Sequence, residues 1–170
     1  KKILSKEPKT KDPDMEYDLP LTLQNIRDGC IKKLKINRRY FDSNGDERFE
    51  DKIITIDIKK GTLDGTKFRF EKCADETTGN IAGDIVFIAR DKTHPQFARN
   101  GANIEYTAVL TESEATNGVE LEIPTLDEND KILLTCEKFL DPSVSKNYPN
   151  RGLPLVDNPR KRGDFIVKFE

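Results

Sequence analysis

The feature that most constrains this sequence is an internal duplication. The pattern Glu16-Tyr17-x-x-x-Leu21-Thr22, followed by Gly29, returns as Glu105-Tyr106-x-x-x-Leu110-Thr111, followed by Gly118. The segment Gly83-Asp84-Ile85-Val86-Phe87 likewise returns as Gly163-Asp164-Phe165-Ile166-Val167. Each copy therefore opens and closes with the same signatures in the same order. This repetition predicts two tandem modules of similar build.

Composition agrees with two small modules and excludes some partners. Of 170 residues only 35% are hydrophobic, an equal share is charged, and Trp is absent. Two thin sheet-on-sheet cores need fewer apolar residues than one large core. The net charge of -2 provides no general field for nucleic acid, so we expect no nucleic-acid partner. No apolar run reaches membrane-spanning length, so no membrane partner is expected.

The chain start and the cysteines indicate a cytoplasmic fragment. The sequence begins at Lys1 without Met and without a signal-peptide pattern, so we expect a piece excised from a longer protein. Residues 1–12 are polar and rich in lysine, which predicts a linker. The three cysteines, Cys30, Cys73 and Cys136, are odd in number and far apart. Such spacing favours reduced thiols over a disulfide framework.

Alternating apolar residues are the strongest local signal, and they predict strands. The alternation is clearest in three groups: Tyr17, Leu19 and Leu21; Leu34 and Ile36; Ile54, Ile56 and Ile58. Turn residues at Asp42–Asp46 predict that the strands near Lys32–Arg38 and Ile53–Ile58 pair as a hairpin. The run Ile85–Ala89 is apolar on both faces, so one face fills a core and the other must meet a covering loop or a ligand.

Short helices are predicted at the same place in both copies. Leu23–Asp28 follows Thr22, a suitable N-cap, and precedes Gly29. In the second copy Thr111-x-x-Glu114 has the form of a capping box. The predicted fold is therefore mainly β, with two tandem small β-sandwich-like modules of similar topology, each with one short helix. We expect the modules to span residues 13–95 and 96–170.

The sequence offers little for catalysis or for metal binding. His94 is the only histidine, and it lies beside Pro95 in the turn between the modules, where a structural role is favoured. One histidine and no closely spaced cysteine pair argue against a zinc site. We therefore expect a protein that is not an enzyme and has no metal or cofactor. A hydrolase built on a cysteine and His94 is one rival hypothesis.

The first copy contains the elements of a peptide-binding groove. Pro20 lies inside an alternating strand, which confines that strand to a sheet edge or a bulge. Suppose that the strand faces bearing Tyr17, Leu34 and Phe87 line up. They would form an apolar groove beside an available strand edge, rimmed by lysines, and such a groove suits an extended peptide. The same residues could instead fill the core, and periodicity alone leaves both alternatives open.

Several motifs resemble one family. They are Asp18-Leu19-Pro20-Leu21-Thr22-Leu23 with Gly29-x-x-Lys32-Lys33, then Ile56-x-Ile58-Lys59-x-Gly61-x-x-x-Gly65-Thr66-Lys67-x-x-Phe70, and Asp84-Ile85-Val86-Phe87-Ile88-x-x-Asp91-Lys92-x-His94-Pro95-x-Phe97-x-Arg99-x-Gly101. On these motifs the chain resembles the C-terminal substrate-binding region of DnaJ-type (J-domain) co-chaperones, from about Asp12 to its end. No Cys-rich repeat interrupts the first copy, which points to the subclass without zinc fingers. The family's Pro-Gly-Trp is replaced by Lys60-Gly61-Thr62, a departure that affects a turn.

The resemblance implies a function and a site. It implies a co-chaperone that captures unfolded polypeptides, and the acidic EEVD tail of the seventy-kilodalton heat-shock chaperone, in a hydrophobic groove by strand addition. It also implies a parent protein that forms a homodimer, and a monomeric fragment. The alternative is a β-sandwich adhesion or carbohydrate-binding module. Lys32 and Lys35 would meet the carboxylates of the tail. The implied peptide-binding residues are Tyr17, Leu19, Lys32, Leu34, Lys35, Ile36 and Phe87.

Overall fold

The structure is a computed structural model that describes residues 10–170. Residues 1–9 of the predicted linker lie outside the described residues. Of its remaining part, Lys11 forms a parallel bridge with Ile81, and the Asp12 carboxylate accepts hydrogen bonds from Thr77 at 2.8–3.0 Å. Lys11 and Asp12 therefore belong to the folded part of the chain.

The fold is mainly β, as predicted. The described residues form eleven strands and two short helices. In the first copy they are β1 (Met15–Leu21), α1 (Leu23–Asp28), β2 (Cys30–Phe41), β3 (Glu47–Ile58), β4 (Lys67–Phe70) and β5 (Ile85–Asp91). In the second copy they are β6 (Phe97–Asn100), β7 (Asn103–Ala108), α2 (Glu112–Asn117), β8 (Val119–Pro124), β9 (Lys131–Cys136), β10 (Lys146–Tyr148) and β11 (Phe165–Phe169).

The two copies share one topology, which confirms the duplication. The strand order is β1-β5-β4 in one sheet and β10-β11-β7-β6 in the other, so the closing strand is central in both. β5 is antiparallel to β4, and β11 is antiparallel to β10 and parallel to β7. β1 also runs parallel to β5, because Met15 bonds to Asp84 at one end and Leu21 to Lys92 at the other. Pro20 lies on edge strand β1, as the sequence predicted.

Each copy also contains a separate two-stranded hairpin. β2 pairs with β3 and β8 pairs with β9. The first hairpin is long, with 12 residues in each strand, whereas the strands of the second have 6. The predicted turn at Asp42–Asp46 is present, and it is closed by a hydrogen bond from the Asp42 N–H to the Asp46 carbonyl at 3.0 Å.

Both short helices begin with a capping box. Thr22 Oγ1 accepts from the Asn25 N–H while Asn25 Oδ1 accepts from the Thr22 N–H, both at 3.1 Å. Thr111 and Glu114 repeat this exchange in α2. Because these bonds satisfy amides that a helix leaves unpaired at its first turn, they fix where each helix starts. The predicted helices and N-caps are confirmed in both copies.

The chain forms two compact units that are discontinuous in sequence. Unit 1 comprises the described residues up to Pro20, Ile31–Asp57 and Asp64–Arg90. Unit 2 comprises Leu21–Cys30, Ile58–Leu63 and Asp91–Glu170. The predicted division at residues 13–95 and 96–170 follows the sequence repeat instead, and it stays a prediction.

Each unit has its own core. In unit 1, Ile85–Ala89 of β5 are buried throughout, so both faces of this apolar strand are covered, together with Ile54 and Ile56 of β3. In unit 2, Phe165 of β11 is buried and contacts Phe97 with ring centroids 5.9 Å apart. The stretch between β9 and β11 contains the short strand β10, which pairs with β11.

Candidate functional site

β2 forms one side of a two-stranded hairpin in unit 1. In the part of the chain that the structure describes, β3 is the only strand beside β2. Asp42 directs its N–H toward the β3 side of the hairpin, whereas Arg39 and Phe41 direct theirs away from it, to carboxylates at 2.8 and 3.0 Å. Because backbone groups alternate in direction along a strand, the odd-numbered residues of β2 face this outer edge. They are Ile31, Lys33, Lys35 and Asn37.

The side chains of β2 beside that edge differ in burial between the two faces of the strand. Lys32, Leu34 and Ile36 are half-buried, whereas the residues between them are exposed. Arg38, on the same face, pairs with Glu50 at 2.8 Å. Because β2 and β3 are antiparallel, the residue four positions before Arg38 lies opposite the residue four positions after Glu50. Leu34 is therefore opposite Ile54, which is 3% exposed. Leu34 and Ile36 therefore lie on the core-facing side of the hairpin yet keep part of their surface accessible.

Lys35 lies on the opposite face from Leu34 and Ile36. Its ammonium group is 3.4 Å from Asp51, and both side chains are more than half exposed. A hydrogen bond from Asn37, followed by the contact with Lys35, lowers the pKa of the Asp51 carboxyl from its usual value. The pair is solvent-screened, so Lys35 can exchange Asp51 for another carboxylate at little cost.

An aromatic cluster lies on the sheet β1-β5-β4. Tyr17 and Phe87 have ring centroids 5.9 Å apart, and Phe70 meets Phe87 edge-on at 6.1 Å. Tyr17 is 44% exposed, whereas Phe87 is 7% exposed. Leu19 is buried in the same strand as Tyr17. Of this cluster, the Tyr17 ring is therefore the part most accessible to a ligand.

The structure brings the sequence-predicted residues together in two groups. Tyr17 and Phe87 are in contact, and Lys32, Leu34 and Ile36 share one strand face. The two groups belong to different sheets, and their alignment into one groove stays a prediction. Sequence reasoning missed Phe70, although its alternation with Phe68 opposite β5 was a usable signal. It also missed Asp75 and Glu76, whose contacts with β2 are long-range and leave no local pattern.

The closing signature of the first copy holds a charged network. Asp84 is 2% exposed, and its carboxylate forms ion pairs with Lys11 at 2.9 Å and with Arg69 at 2.6 Å. Arg69 also pairs with Asp14 at 2.7 Å. The hydrogen bond from Lys11, then those from the Lys72 N–H and Arg69, hold the pKa of the Asp84 carboxyl far below its usual range. The network ties the start of β1 to β4 and β5.

The residues considered for catalysis have structural roles or are dispersed. His94 Nδ1 accepts hydrogen bonds from the Gln96 and Phe97 N–H groups at 3.0 and 3.3 Å, so this nitrogen closes a turn. The cysteines are free, and two of them are buried. Among residues 10–170 there is no group of three or more His, Cys, Asp or Glu placed to hold a metal ion. Neither helix of this region is long and apolar enough to cross a membrane.

Comparison with known proteins gives one consistent result. A family model described as DnaJ C terminal domain matches residues 15–170. Human DnaJ homolog subfamily B member 5 is 40% identical over 163 residues, which cover 95% of this chain and 47% of the relative. Drosophila melanogaster DnaJ protein homolog 1 is 36% identical, with 94% and 47% covered. Saccharomyces cerevisiae Protein SIS1 is 31% identical, with 92% and 43% covered. The chain spans about half the length of these curated relatives.

Proposed function

The chain belongs to the DnaJ C-terminal domain family, and from this premise we propose that it binds extended polypeptides at the open edge of β2. The family supports a co-chaperone role for the protein. The observation that carries the proposal is an edge with outward-facing backbone groups at Ile31–Asn37, flanked by half-buried Leu34 and Ile36 on one face. An edge of this kind is a template for another strand.

Strand addition explains how a small site can bind peptides of many different sequences. The backbone of the incoming segment pairs with Lys33 and Lys35, which requires no particular sequence. Its side chains then alternate between the two faces, one set toward Leu34 and Ile36 and the other toward solvent. Because ordering an unfolded segment costs conformational entropy, binding at one such site is weak. Weak capture permits release.

The partners that fit this chemistry are apolar stretches of unfolded clients and the acidic EEVD tail of the seventy-kilodalton heat-shock chaperone. Lys32 on one face and Lys35 on the other place a cation on either side of the added strand. Tyr17, Leu19 and Phe87 would complete the apolar wall of the groove. We place this activity in the cytoplasm. Binding, not catalysis, is the proposed activity, since one ring nitrogen of the only histidine is occupied by backbone amides.

Titration with a labelled peptide ending in Glu-Glu-Val-Asp tests the proposal. Tyr17→Ala removes an exposed ring from the groove, and Lys32→Ala removes a cation beside Leu34. We expect each to weaken binding roughly tenfold, because each removes a contact of about 1–2 kcal/mol. Phe139→Ala is the matched control, since this ring is 80% exposed in unit 2.

Two results would refute the proposed function. One is absence of binding by the unaltered protein at millimolar peptide. The other is binding that neither Tyr17→Ala nor Lys32→Ala changes. Saturable binding of an oligosaccharide in place of the peptide would favour the carbohydrate-binding alternative, and ester hydrolysis lost in His94→Ala would favour the hydrolase.

A further inference from the structure

The far end of the β2 edge is already occupied by the chain itself. Asp75 Oδ1 accepts the Arg39 N–H at 2.8 Å, and Glu76 Oε2 accepts the Phe41 N–H at 3.0 Å. The Glu76 N–H donates to the Arg39 carbonyl at 2.9 Å. These three bonds satisfy every outward backbone group of Arg39 and the outward amide of Phe41. Any strand added to β2 must therefore end before Arg39.

The segment Asp75–Glu76 is held in this position from several directions. Arg38 donates to the Ala74 carbonyl and to Glu76 Oε1, each at 3.4 Å, and Arg39 Nε donates to the Glu76 carbonyl at 3.1 Å. Arg38 is 9% exposed and is anchored in turn by Glu50. Because a nearly buried guanidinium and a backbone bond both hold Glu76, an incoming peptide does not displace it without losing these contacts.

We propose that Asp75 and Glu76 form an internal stop that ends the peptide site after Asn37. The stop fixes how a bound segment is aligned along β2 and limits the length that gains affinity. This inference rests on the proposed function, because it concerns the same edge. Asp75 and Glu76 would thus determine the length and alignment of the bound peptide. They do so because their carboxylates accept hydrogen bonds from outward N–H groups of β2 that a longer peptide would otherwise use.

The stop predicts a dependence of affinity on peptide length. A strand rises about 3.3 Å per residue, so the open stretch Ile31–Asn37 accommodates roughly seven to eight peptide residues. For a series of peptides of roughly four to twelve residues, affinity for the unaltered protein should rise and then level off near this length. Residues beyond it find no backbone partner on β2.

The double variant Asp75→Ala/Glu76→Ala tests the stop by removing both edge-binding carboxylates. Of the three bonds to the outward backbone groups of β2, only the one from the residue 76 N–H to the Arg39 carbonyl then remains, so a longer peptide can displace the weakened segment. We expect the longest peptides to gain about fivefold over the eight-residue peptide, since they add one or two hydrogen bonds. Asp46→Ala/Glu71→Ala is the control, because it removes the same charge from two exposed side chains.

The outcomes separate failure of the stop from failure of the site. If no peptide binds the unaltered protein, the proposed function fails. If peptides bind but affinity keeps rising with length in the unaltered protein, or levels off equally in both double variants, the stop is refuted. Should the double variant not fold, amide hydrogen exchange in the unaltered protein decides: without peptide, slow exchange at Arg39 and Phe41 is expected, and exchange there as fast as at Lys33 and Lys35 overturns the inference.

Discussion

The edges of the two hairpins differ although their frameworks repeat. Counted from Gly29 and Gly118, Lys33 of β2 corresponds to Glu122 of β8, and Lys35 corresponds to Pro124. In the first copy the exposed face beside the edge is basic. In the second it is acidic, and the strand is half as long.

Pro124 makes the second edge unsuitable for strand addition. Proline has no N–H, and within sheets it is found where the missing donor would face away from the paired strand. Pro124 pairs with Lys131 of β9 and corresponds to Lys35, whose backbone groups face outward, so we expect its nitrogen to face the outer edge. Short edge strands, charge and proline are the devices by which proteins protect exposed edges. The duplication thus supplies the same framework twice, with one edge open and the other protected, and we assign peptide binding to the open one.

The largest expected effect comes from transferring this proline to the first edge. Lys35→Pro removes an outward N–H and places a ring where the peptide backbone would lie. Because the Lys35 amide does not pair with β3, the hairpin should persist. We expect peptide affinity in the titration to fall at least thirtyfold.

The matched control is Lys35→Ala, which removes the same side chain and keeps the amide. Its effect should be fivefold or less, in keeping with the value of an exposed charge contact. Equal losses in Lys35→Pro and Lys35→Ala would mean that the side chain, and not the backbone edge, carries binding.

The closing Gly-Asp signatures offer a comparison of stability. Asp84 is held by Lys11 and Arg69, whereas Asp164 accepts hydrogen bonds from Asn147 and the Asn150 N–H. The folded-state pKa of Asp84 lies below its ordinary value of 3.8, so its contribution to stability is present above that pH and is lost as pH falls further. We expect Asp84→Asn to lower the free energy of unfolding at pH 7, as measured by urea denaturation.

The same measurement at lower pH identifies the cause. The gap between Asp84→Asn and the unaltered protein should narrow as pH drops below 3.8, because the Asp84 carboxyl then takes up a proton when the unaltered protein unfolds, which favours the unfolded state. Asp141→Asn serves as the control, since among residues 10–170 that carboxylate accepts its hydrogen bonds from Ser143 and not from a cation. A gap that stays constant between pH 7 and pH 3 would contradict the ionic explanation.

The capped helices should differ in how much they depend on their caps. Thr22→Ala and Thr111→Ala each remove one capping bond and should cost about 1 kcal/mol. α1 buries Leu23 and Ile26, whereas α2 buries no side chain. Amide exchange in the helix should therefore accelerate more in Thr111→Ala. Equal acceleration in both helices would show that packing does not support α1.

The smallest effect is expected from opening the second edge. Pro124→Lys restores an outward amide to β8 but leaves a short acidic strand. An EEVD peptide should bind there no more than a few-fold above background in a protein already carrying Lys35→Pro. Recovery of full affinity would show that proline alone separates the two copies.

Local patterns were enough to predict the framework. Alternation predicted β1, β2 and β3, capping residues fixed both helices, and the repeated signatures predicted one topology used twice. The strand β10 was missed because Lys146–Tyr148 has no apolar alternation and is ordered by pairing with β11.

Local patterns could not predict how the candidate site is arranged. Alternation already separated Lys35 from Leu34 and Ile36, but family resemblance placed all three in one site. The contacts of Asp75 and Glu76 with β2 join residues more than thirty positions apart, and nothing in the local sequence marks them. The backbone groups of β2 that face outward are determined by how β2 pairs with β3. That pairing is known only from the folded hairpin.

Residue-resolved amide hydrogen exchange with and without an EEVD peptide tests the central claim most directly. We expect saturating peptide to slow exchange at Ile31, Lys33 and Lys35 of β2 and to leave exchange at Glu120 and Glu122 of β8 unchanged. Slowing at Glu120 and Glu122, or no slowing on β2 at a peptide concentration that saturates binding, would contradict it.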